Sequence, residues 1–115
     1  MHELSIAMAL LEVAGEEAQR HGSARVVAIH ARVGPLSGVM AEALTGAYEL
    51  AREGTAFEGC RLVVEQTDIT GKCTTCDAVR GVVAAQDLRC AACGEVIREI
   101  LTGRELELTA MEVES

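Results

Sequence analysis

Aromatic residues are nearly absent from this sequence. It has no Trp, a single Tyr and a single Phe, at Tyr48 and Phe57, although half of its 115 residues are hydrophobic. Its core must therefore be built from aliphatic side chains. A chain of this length is the usual size for one domain, with room for a small extra module if something besides packing stabilises that module.

Positive charge is also scarce. Ten Lys and Arg stand against 18 Asp and Glu, so the formal net charge is -8. A phosphate backbone is then a poor partner, and we expect no nucleic-acid binding. No apolar run approaches a membrane span, and Glu3 stands where a secretory signal would carry Lys or Arg. We expect a cytoplasmic protein without a membrane partner.

The five cysteines are an odd number, which argues against a pure disulfide framework. Four of them form two C-x-x-C pairs, Cys73 with Cys76 and Cys90 with Cys93. In a reducing compartment this pattern indicates metal binding, and four sulfur ligands leave no open position, as in a structural zinc site. A rubredoxin-like iron site and a redox dithiol are the alternatives. Cys60 is interpreted as a small buried residue.

Hydrophobic periodicity predicts two helices and three strands. The helices are expected over residues 4–18 and 39–52, where apolar side chains recur at helical spacing. The strands are expected over residues 25–33, 60–67 and 105–114, and the last shifts its phase as a strand with a bulge would. The buried face of the first helix is predicted to consist of Leu4, Ala7, Met8, Leu11, Ala14 and Ala18. That of the first strand is predicted to consist of Val27, Ile29, Ala31 and Val33.

Together these elements predict an α+β fold. We expect a two-layer domain, residues 1–70 and 103–115, with two helices on one face of a three-stranded sheet. A four-cysteine zinc ribbon, residues 71–102, is inserted between the second and third strands, with short strands at 79–84 and 96–101. Glycines at both ends of the insert suggest the hypothesis that it moves as a body.

The N-terminus offers a second set of metal ligands. The free amine of Met1, the backbone nitrogen and imidazole of His2, and the amide nitrogen or carboxylate of Glu3 can enclose one ion in fused rings. Planar nitrogen coordination favours Ni²⁺ or Cu²⁺. The first N–H groups of a helix lack intrahelical acceptors, so deprotonating one breaks no helix hydrogen bond. On composition alone, however, a His at position 2 without any metal role is the simpler interpretation.

Several motifs resemble one known family from end to end. They are MHELSIA at residues 1–7, Arg32-Val33-Gly34, LSGV at residues 36–39, the double C-x-x-C and a short acidic C-terminal strand. In combination they resemble the HypA/HybF nickel metallochaperones of hydrogenase maturation. Two details depart from the family pattern: Asp77 follows the first cysteine pair where Gly is frequent, and Cys90-Ala91-Ala92-Cys93 lacks a common Pro.

The resemblance implies a function and a nickel site. Members transfer Ni²⁺ toward the [NiFe]-hydrogenase large subunit together with an accessory GTPase, and some also serve urease, which implies a urease accessory protein as a further partner. They are not enzymes. In the family the nickel site uses the N-terminal amine and His2, with Glu3 adjoining, and Met1, His2 and Glu3 all match here.

Two functional classes compete with nickel delivery. A zinc-ribbon adaptor that only binds proteins would give His2 no role. Its docking surface would be the acidic side chains of the C-terminal strand, which otherwise form a solvated face: Glu105, Glu107, Glu112 and Glu114. A redox protein would cycle its cysteine pairs between thiol and disulfide. His30 is interpreted as a plain surface histidine rather than a second nickel ligand.

Overall fold

The computed structural model describes residues 2–22 and 25–114. Two helices and seven strands form within these ranges, and none of the described helices is long and apolar enough to cross a membrane. The helices are α1 (His2–Arg20) and α2 (Ala41–Ala51). The strands are β1 (Val26–Val33), β2 (Arg61–Gln66), β3 (Thr70–Cys73), β4 (Ala78–Ala84), β5 (Asp87–Cys90), β6 (Glu99–Thr102) and β7 (Leu106–Val113).

The strands make two separate sheets. One has the order β2-β1-β7 and the other β5-β4-β3-β6. The radius of gyration is 17.2 Å, whereas a compact chain of about this length has roughly 13 Å. The two sheets therefore lie beside each other along an elongated molecule and do not share one core.

The first sheet carries both helices on one face, as the α+β prediction requires. β1 is its central strand, parallel to β2 and antiparallel to β7. The parallel pair needs a crossover, and α2 supplies it. The hydrophobic core between sheet and helices contains Ile29, Leu44 and Tyr48, all fully buried.

The predicted face of β1 is wrong at its first residue. Val26 lies in the core and Val27 is only half-buried, whereas the alternation predicted the reverse. The pairing of β1 with β7 shifts register between Val26 and Ala28, which turns the first residue over. A second shift, between His30 and Ala31, leaves Thr109 as an extra residue in β7 and confirms the predicted bulge.

The predicted buried face of α1 is also partly wrong. Leu4 and Met8 are 39% and 58% exposed, and Leu10, which was not predicted, is buried. Ala7, Leu11 and Ala14 are buried as expected. The apolar residues of this helix extend over more than one face, so periodicity alone did not determine which of them meets the sheet. The helix also begins at His2, two residues before the predicted start.

The second sheet contains both cysteine pairs. The predicted strand at 79–84 corresponds to β4, and that at 96–101 is reduced to β6, with Val96 forming only an isolated bridge to Arg89. Its core is very small, consisting of Cys73, Cys90 and Ile97 as the buried residues. Little apolar surface is buried here apart from the cysteines.

The polypeptide enters and leaves this second sheet through one narrow connection, made of residues 67–71 and 102–105 and called the neck below. Thr70 of β3 pairs with Thr102 of β6, and their hydroxyl oxygens lie 2.6 Å apart. The two strands that flank the insert, β2 and β7, are not neighbours but lie on opposite sides of β1. The pairing of β3 with β6 therefore brings the two ends of the insert together.

The glycines in and beside the neck lie where another segment of backbone passes too close to leave room for a side chain. A Cβ on Gly71 would lie 2.5 Å from the carbonyl oxygen of Glu99, and one on Gly34 would lie 2.2 Å from that of Gly103. Gly103 itself has a φ of 121°, which other residues rarely adopt. Steric exclusion of a side chain therefore accounts for these glycines. Whether the second sheet moves as a body stays a hypothesis.

Glu105 is part of this neck and does not lie on an exposed acidic face as predicted. Its carboxylate accepts hydrogen bonds from the Thr67 hydroxyl at 2.7 Å and from the Gly103 N–H at 2.8 Å. The Thr67 hydroxyl is the main cause that lowers the pKa of Glu105, and the backbone N–H groups of Glu105 and Gly103 add to it. The ionised form is thus the one that the neck binds.

We expect Glu105→Gln to reduce the acid sensitivity of folding. Because the pKa of Glu105 is lower in the folded protein, its stabilisation is complete above the pKa of an unfolded Glu, about 4.3. It is lost as the pH falls through the folded pKa. Urea unfolding at about pH 7 and at about pH 3.5 checks this. Glu49→Gln on the exposed side of α2 is the control. If the free energy of unfolding falls by the same amount between these two pH values in the parent protein, Glu105→Gln and Glu49→Gln, the assignment is contradicted.

Candidate metal centre

The four paired cysteines converge on one point. Cys73 ends β3 and Cys90 ends β5, while Cys76 and Cys93 lie in the turns that follow these strands. All four Sγ atoms lie within 4.8 Å of one another. The Sγ atoms of Cys73 and Cys93 are 3.5 Å apart, and those of Cys76 and Cys90 are 3.9 Å apart.

These distances fit a single tetrahedral ion. With Zn–S bonds of about 2.3 Å, the sulfur atoms of a tetrahedral site are separated by roughly 3.8 Å. A disulfide would require about 2.05 Å, and all five cysteines are free thiols. The four sulfurs are thus arranged for tetrahedral coordination, which suits zinc and also iron.

Each cysteine pair is folded by its own turn. The N–H of Cys76 donates to Sγ of Cys73 at 3.4 Å, so a backbone dipole already faces the sulfur. The residues after the second cysteine of each pair, Asp77 and Gly94, have positive φ values of 52° and 83°. Asp77 therefore adopts at the first turn the conformation for which glycine serves at the second.

We expect Asp77 to tolerate Gly but not Val. Glycine adopts positive φ freely, so Asp77→Gly should retain the zinc affinity of the parent protein. A β-branched residue is strained there by about 1–2 kcal/mol, so Asp77→Val should lose zinc to a chelator at a lower chelator concentration. Competition with a chromophoric chelator measures this. Equal zinc retention by the two variants would contradict the expected strain.

Electrostatics within the cluster favour the thiolate at Cys90, whereas at Cys93, despite the hydrogen bond from the backbone N–H of Glu95, burial and hydrogen bonds shared with the other three sulfurs raise the pKa to about 12. Burial raises the pKa of Cys90, but hydrogen bonds from the backbone N–H groups of Cys93 and Ala92 outweigh it and lower the pKa to about 6. The Arg80 guanidinium lies near the cluster, and its hydrogen bond to Cys76 raises the pKa of Arg80. A cation and several backbone dipoles thus offset the negative charge that four thiolates bring to one ion.

Cys60 lies in the first core, away from this cluster. It is 2% exposed and packs with the buried residues between the helices and the first sheet. Its carbonyl oxygen accepts hydrogen bonds from the Tyr48 hydroxyl at 3.0 Å and from Arg52 Nη1 at 2.6 Å. The interpretation of Cys60 as a small buried residue is confirmed.

The predicted nickel ligands lie at the beginning of α1. His2 and Glu3 form its first turn, while Met1 lies outside the described residues. The His2 side chain is 57% exposed and the Glu3 side chain 17%, with 3.6 Å between His2 Nε2 and Glu3 Oε2. A hydrogen bond from its own backbone N–H is the main cause that lowers the pKa of Glu3. An accessible imidazole thus adjoins a carboxylate that favours its ionised form.

One further contact at this end was not predicted. His2 Nε2 lies 3.1 Å from the carbonyl oxygen of Gly38, in the segment between β1 and α2. The sequence marks Gly38 only as part of the LSGV motif. No spacing rule connects it with His2, because the contact is made by a backbone atom 36 positions away.

The remaining polar candidates pair with one another on the open face of the first sheet. His30 Nε2 lies 2.6 Å from a carboxylate oxygen of Glu112, and Arg32 Nε lies 3.0 Å from one of Glu65. Arg32 also faces Glu107 at 3.5 Å. His30 is thus a surface histidine hydrogen-bonded to a carboxylate, and the acidic face of β7 is partly neutralised by Arg32.

Two helices on a three-stranded sheet, with an attached four-sulfur cluster, define a class of small proteins able to bind a metal ion, and comparison with known proteins is consistent with this class. Residues 1–113 match the protein family described as "Hydrogenase/urease nickel incorporation, metallochaperone, hypA". The chain belongs to this HypA family of hydrogenase maturation factors and nickel metallochaperones.

Individual relatives agree with the family match. The hydrogenase maturation factor HypA of Roseiflexus sp. (strain RS-1) is 46% identical over 114 residues, which cover 99% of this chain and 93% of that protein. The HypA of Deinococcus radiodurans is 43% identical over 94% of this chain and 89% of its own length. The solution structure of the Ni metallochaperone HypA from Helicobacter pylori has a TM-score of 0.68 at 22% identity, covering 98% of this chain and 97% of that one. At that identity the structural match supports the fold alone.

Proposed function

We propose that this protein binds one Ni²⁺ at its N-terminus and delivers it during [NiFe]-hydrogenase maturation. The observation that carries the proposal is the exposed His2 imidazole beside the Glu3 carboxylate in the first turn of α1. The ligands would be the amine of Met1, the backbone nitrogen and imidazole of His2, and an atom of Glu3. Nitrogen-rich planar coordination suits Ni²⁺.

The four-cysteine cluster takes the structural role. We propose that Cys73, Cys76, Cys90 and Cys93 hold one Zn²⁺, with no open position for a catalytic water. The protein is accordingly proposed to be a carrier without a reaction of its own. Residues 1–70 and 103–115 would be the nickel-binding part and residues 71–102 the zinc ribbon.

The partners follow from the delivery role. We propose an accessory GTPase of hydrogenase maturation and the hydrogenase large subunit as direct partners, with a urease accessory protein as an alternative client. The positive end of the α1 dipole disfavours a bound cation, so nickel binding should be reversible enough for transfer. A client that offers more ligands would then withdraw the ion.

A calorimetric nickel titration tests the proposal. Untagged protein with an authentic Met1 is compared with His2→Ala and with a form extended by one residue before Met1. Both changes should abolish binding of about one Ni²⁺ without changing the zinc content. His21→Ala is the matched control, because His21 is an exposed histidine at the opposite end of α1.

The competing adaptor function gives a different result. If His2→Ala and the extended form bind nickel as the parent does, the nickel site is elsewhere or absent and the adaptor hypothesis replaces delivery. The pairing of Glu107 with Arg32 and of Glu112 with Arg61 already weakens the adaptor hypothesis, because fewer unpaired carboxylates remain to attract a basic partner.

A further inference from the structure

We propose that the backbone carbonyl of Gly38 positions the His2 imidazole and reserves Nδ1 as the atom that binds nickel. This inference rests on the proposed function, because it assigns an atom within the proposed nickel site. It joins the LSGV segment to the N-terminal turn through one contact, the 3.1 Å distance between His2 Nε2 and the Gly38 oxygen. Gly38 is then a positioning residue that does not itself touch the metal.

The direction of this hydrogen bond follows from the chemistry of its partners. A carbonyl oxygen only accepts, so Nε2 must carry the proton. The second polar atom near Nε2 is a carboxylate oxygen of Glu3, at 3.6 Å, and it too can only accept when ionised. In a neutral imidazole with a proton on Nε2, the nitrogen with a free lone pair is Nδ1.

Nδ1 is also the nitrogen that a chelate at this position requires. The backbone nitrogen of His2 and Nδ1 of the same residue can bind one ion in a small ring. From the same residue, the lone pair of Nε2 points away from the backbone nitrogen. The contact with Gly38 thus holds the proton on the nitrogen that the chelate does not use. Histidines that bind metals commonly donate their other N–H to a carbonyl or carboxylate in this way.

The Gly38 carbonyl is held in place from both sides. Gly38 ends the 3₁₀ helix Pro35–Ser37 with a φ of 80°, and the N–H of Val39 donates to the Ser37 hydroxyl at 3.1 Å. Val39 is buried in the first core, and the N–H of Leu36 donates to the Gly103 carbonyl of the neck at 2.7 Å. The acceptor for His2 is therefore prearranged before nickel binds.

Replacing Gly38 by a residue with a side chain can move this carbonyl through strain in the backbone. A Cβ at Gly38 meets no atom within 4 Å, so the main expected effect of Gly38→Val is strain in the left-handed backbone conformation. Gly54 is the matched control, because it has a φ of 74° and equally open space at the opposite end of α2. Gly38→Asn is the conservative variant, because Asn tolerates positive φ.

The experiment has two readouts on zinc-loaded protein. Two-dimensional NMR of the ¹⁵N-labelled His2 imidazole at about pH 8, where an ordinary histidine is neutral, should give the Nε2–H tautomer in the parent and in Gly38→Asn. Gly38→Val should show a mixture of tautomers. Nickel titration should give about ten-fold weaker binding for Gly38→Val, as expected for loss of an outer hydrogen-bond partner, and unchanged binding for Gly38→Asn and Gly54→Val.

Failure of this inference is distinguishable from failure of the proposed function. A predominant Nδ1–H tautomer in the parent, or equal nickel affinity in Gly38→Val and Gly54→Val, overturns the role of Gly38 while His2→Ala still abolishes binding. If His2→Ala leaves nickel binding intact, the proposed nickel site itself is wrong, and the assignment of Nδ1 fails with it.

Discussion

Replacing Cys76 by Ser is expected to release zinc and to unfold residues 71–102, while the helices and the β2-β1-β7 sheet stay folded. The second sheet has only Ile97 as a fully buried aliphatic side chain, and its other buried residues are cysteines of the metal cluster. Burying one such side chain contributes about 1.5–3 kcal/mol. Ordering each backbone residue costs roughly 1–2 kcal/mol.

The free energy of zinc binding is expected to outweigh the difference between this small gain from burial and the cost of ordering the backbone. Structural zinc sites contribute apparent binding energies of about 10–16 kcal/mol near neutral pH. The first core, in contrast, is built from many aliphatic side chains together with Tyr48, Phe57 and Cys60, so we expect packing alone to stabilise it. Loss of one sulfur ligand should therefore affect the two sheets very differently.

Zinc analysis and amide NMR of the Cys76→Ser protein check this expectation. The amide signals of residues 71–102 should collapse to the narrow range of an unfolded chain, and those of β1 and the helices should stay dispersed. Cys60→Ala is the matched control and should retain one zinc per chain. A folded second sheet without zinc in the Cys76→Ser protein would contradict the structural role of the metal.

Tyr48→Ala is expected to lower the free energy of unfolding of the first core by about 3–5 kcal/mol, the usual cost of removing a large buried aromatic ring. Tyr48 is fully buried, and Phe57 is the only other aromatic residue in the chain. A loss of that size is a large fraction of the 5–15 kcal/mol typical of a domain.

Tyr48→Phe separates the ring from its hydroxyl. The hydroxyl donates to the Cys60 carbonyl, but Arg52 donates to the same oxygen and would keep it satisfied. We expect Tyr48→Phe to cost only about 1 kcal/mol. Urea unfolding of zinc-saturated protein, followed by helical circular dichroism, measures both variants. Similar losses for the two would mean that the hydroxyl, and not the ring, stabilises this core.

The sequence predicted the elements of the first core better than their contacts. The helices and long strands follow from periodicity, but the side of α1 that meets the sheet does not, because Leu4, Met8 and Leu10 are all apolar and only packing selects among them. The bulge next to Val26 likewise depends on the partner strand. The strands β3 and β5 have four residues each and no clear alternation, so periodicity could not detect them.

The cysteine cluster and the N-terminal site also differed in how far the sequence could predict their contacts. The cysteine cluster was predictable because each pair lies close in sequence and sulfur spacing is itself the signature of a tetrahedral site. The contact of His2 with Gly38 was not predictable, since a main-chain carbonyl leaves no mark in the residue type. Only the folded path of the segment between β1 and α2 places that oxygen beside the N-terminal turn.

The pairing of Thr70 with Thr102 also affects how the first sheet assembles. Residues 34–105 separate β1 from β7, and this long loop must close before the third strand can pair. In the folded insert its two ends lie side by side, which shortens the loop to roughly half. Since each doubling of loop length costs about 0.6 kcal/mol, we expect a metal bound to the cysteines to lower the entropic cost of a pairing step in which no cysteine takes part.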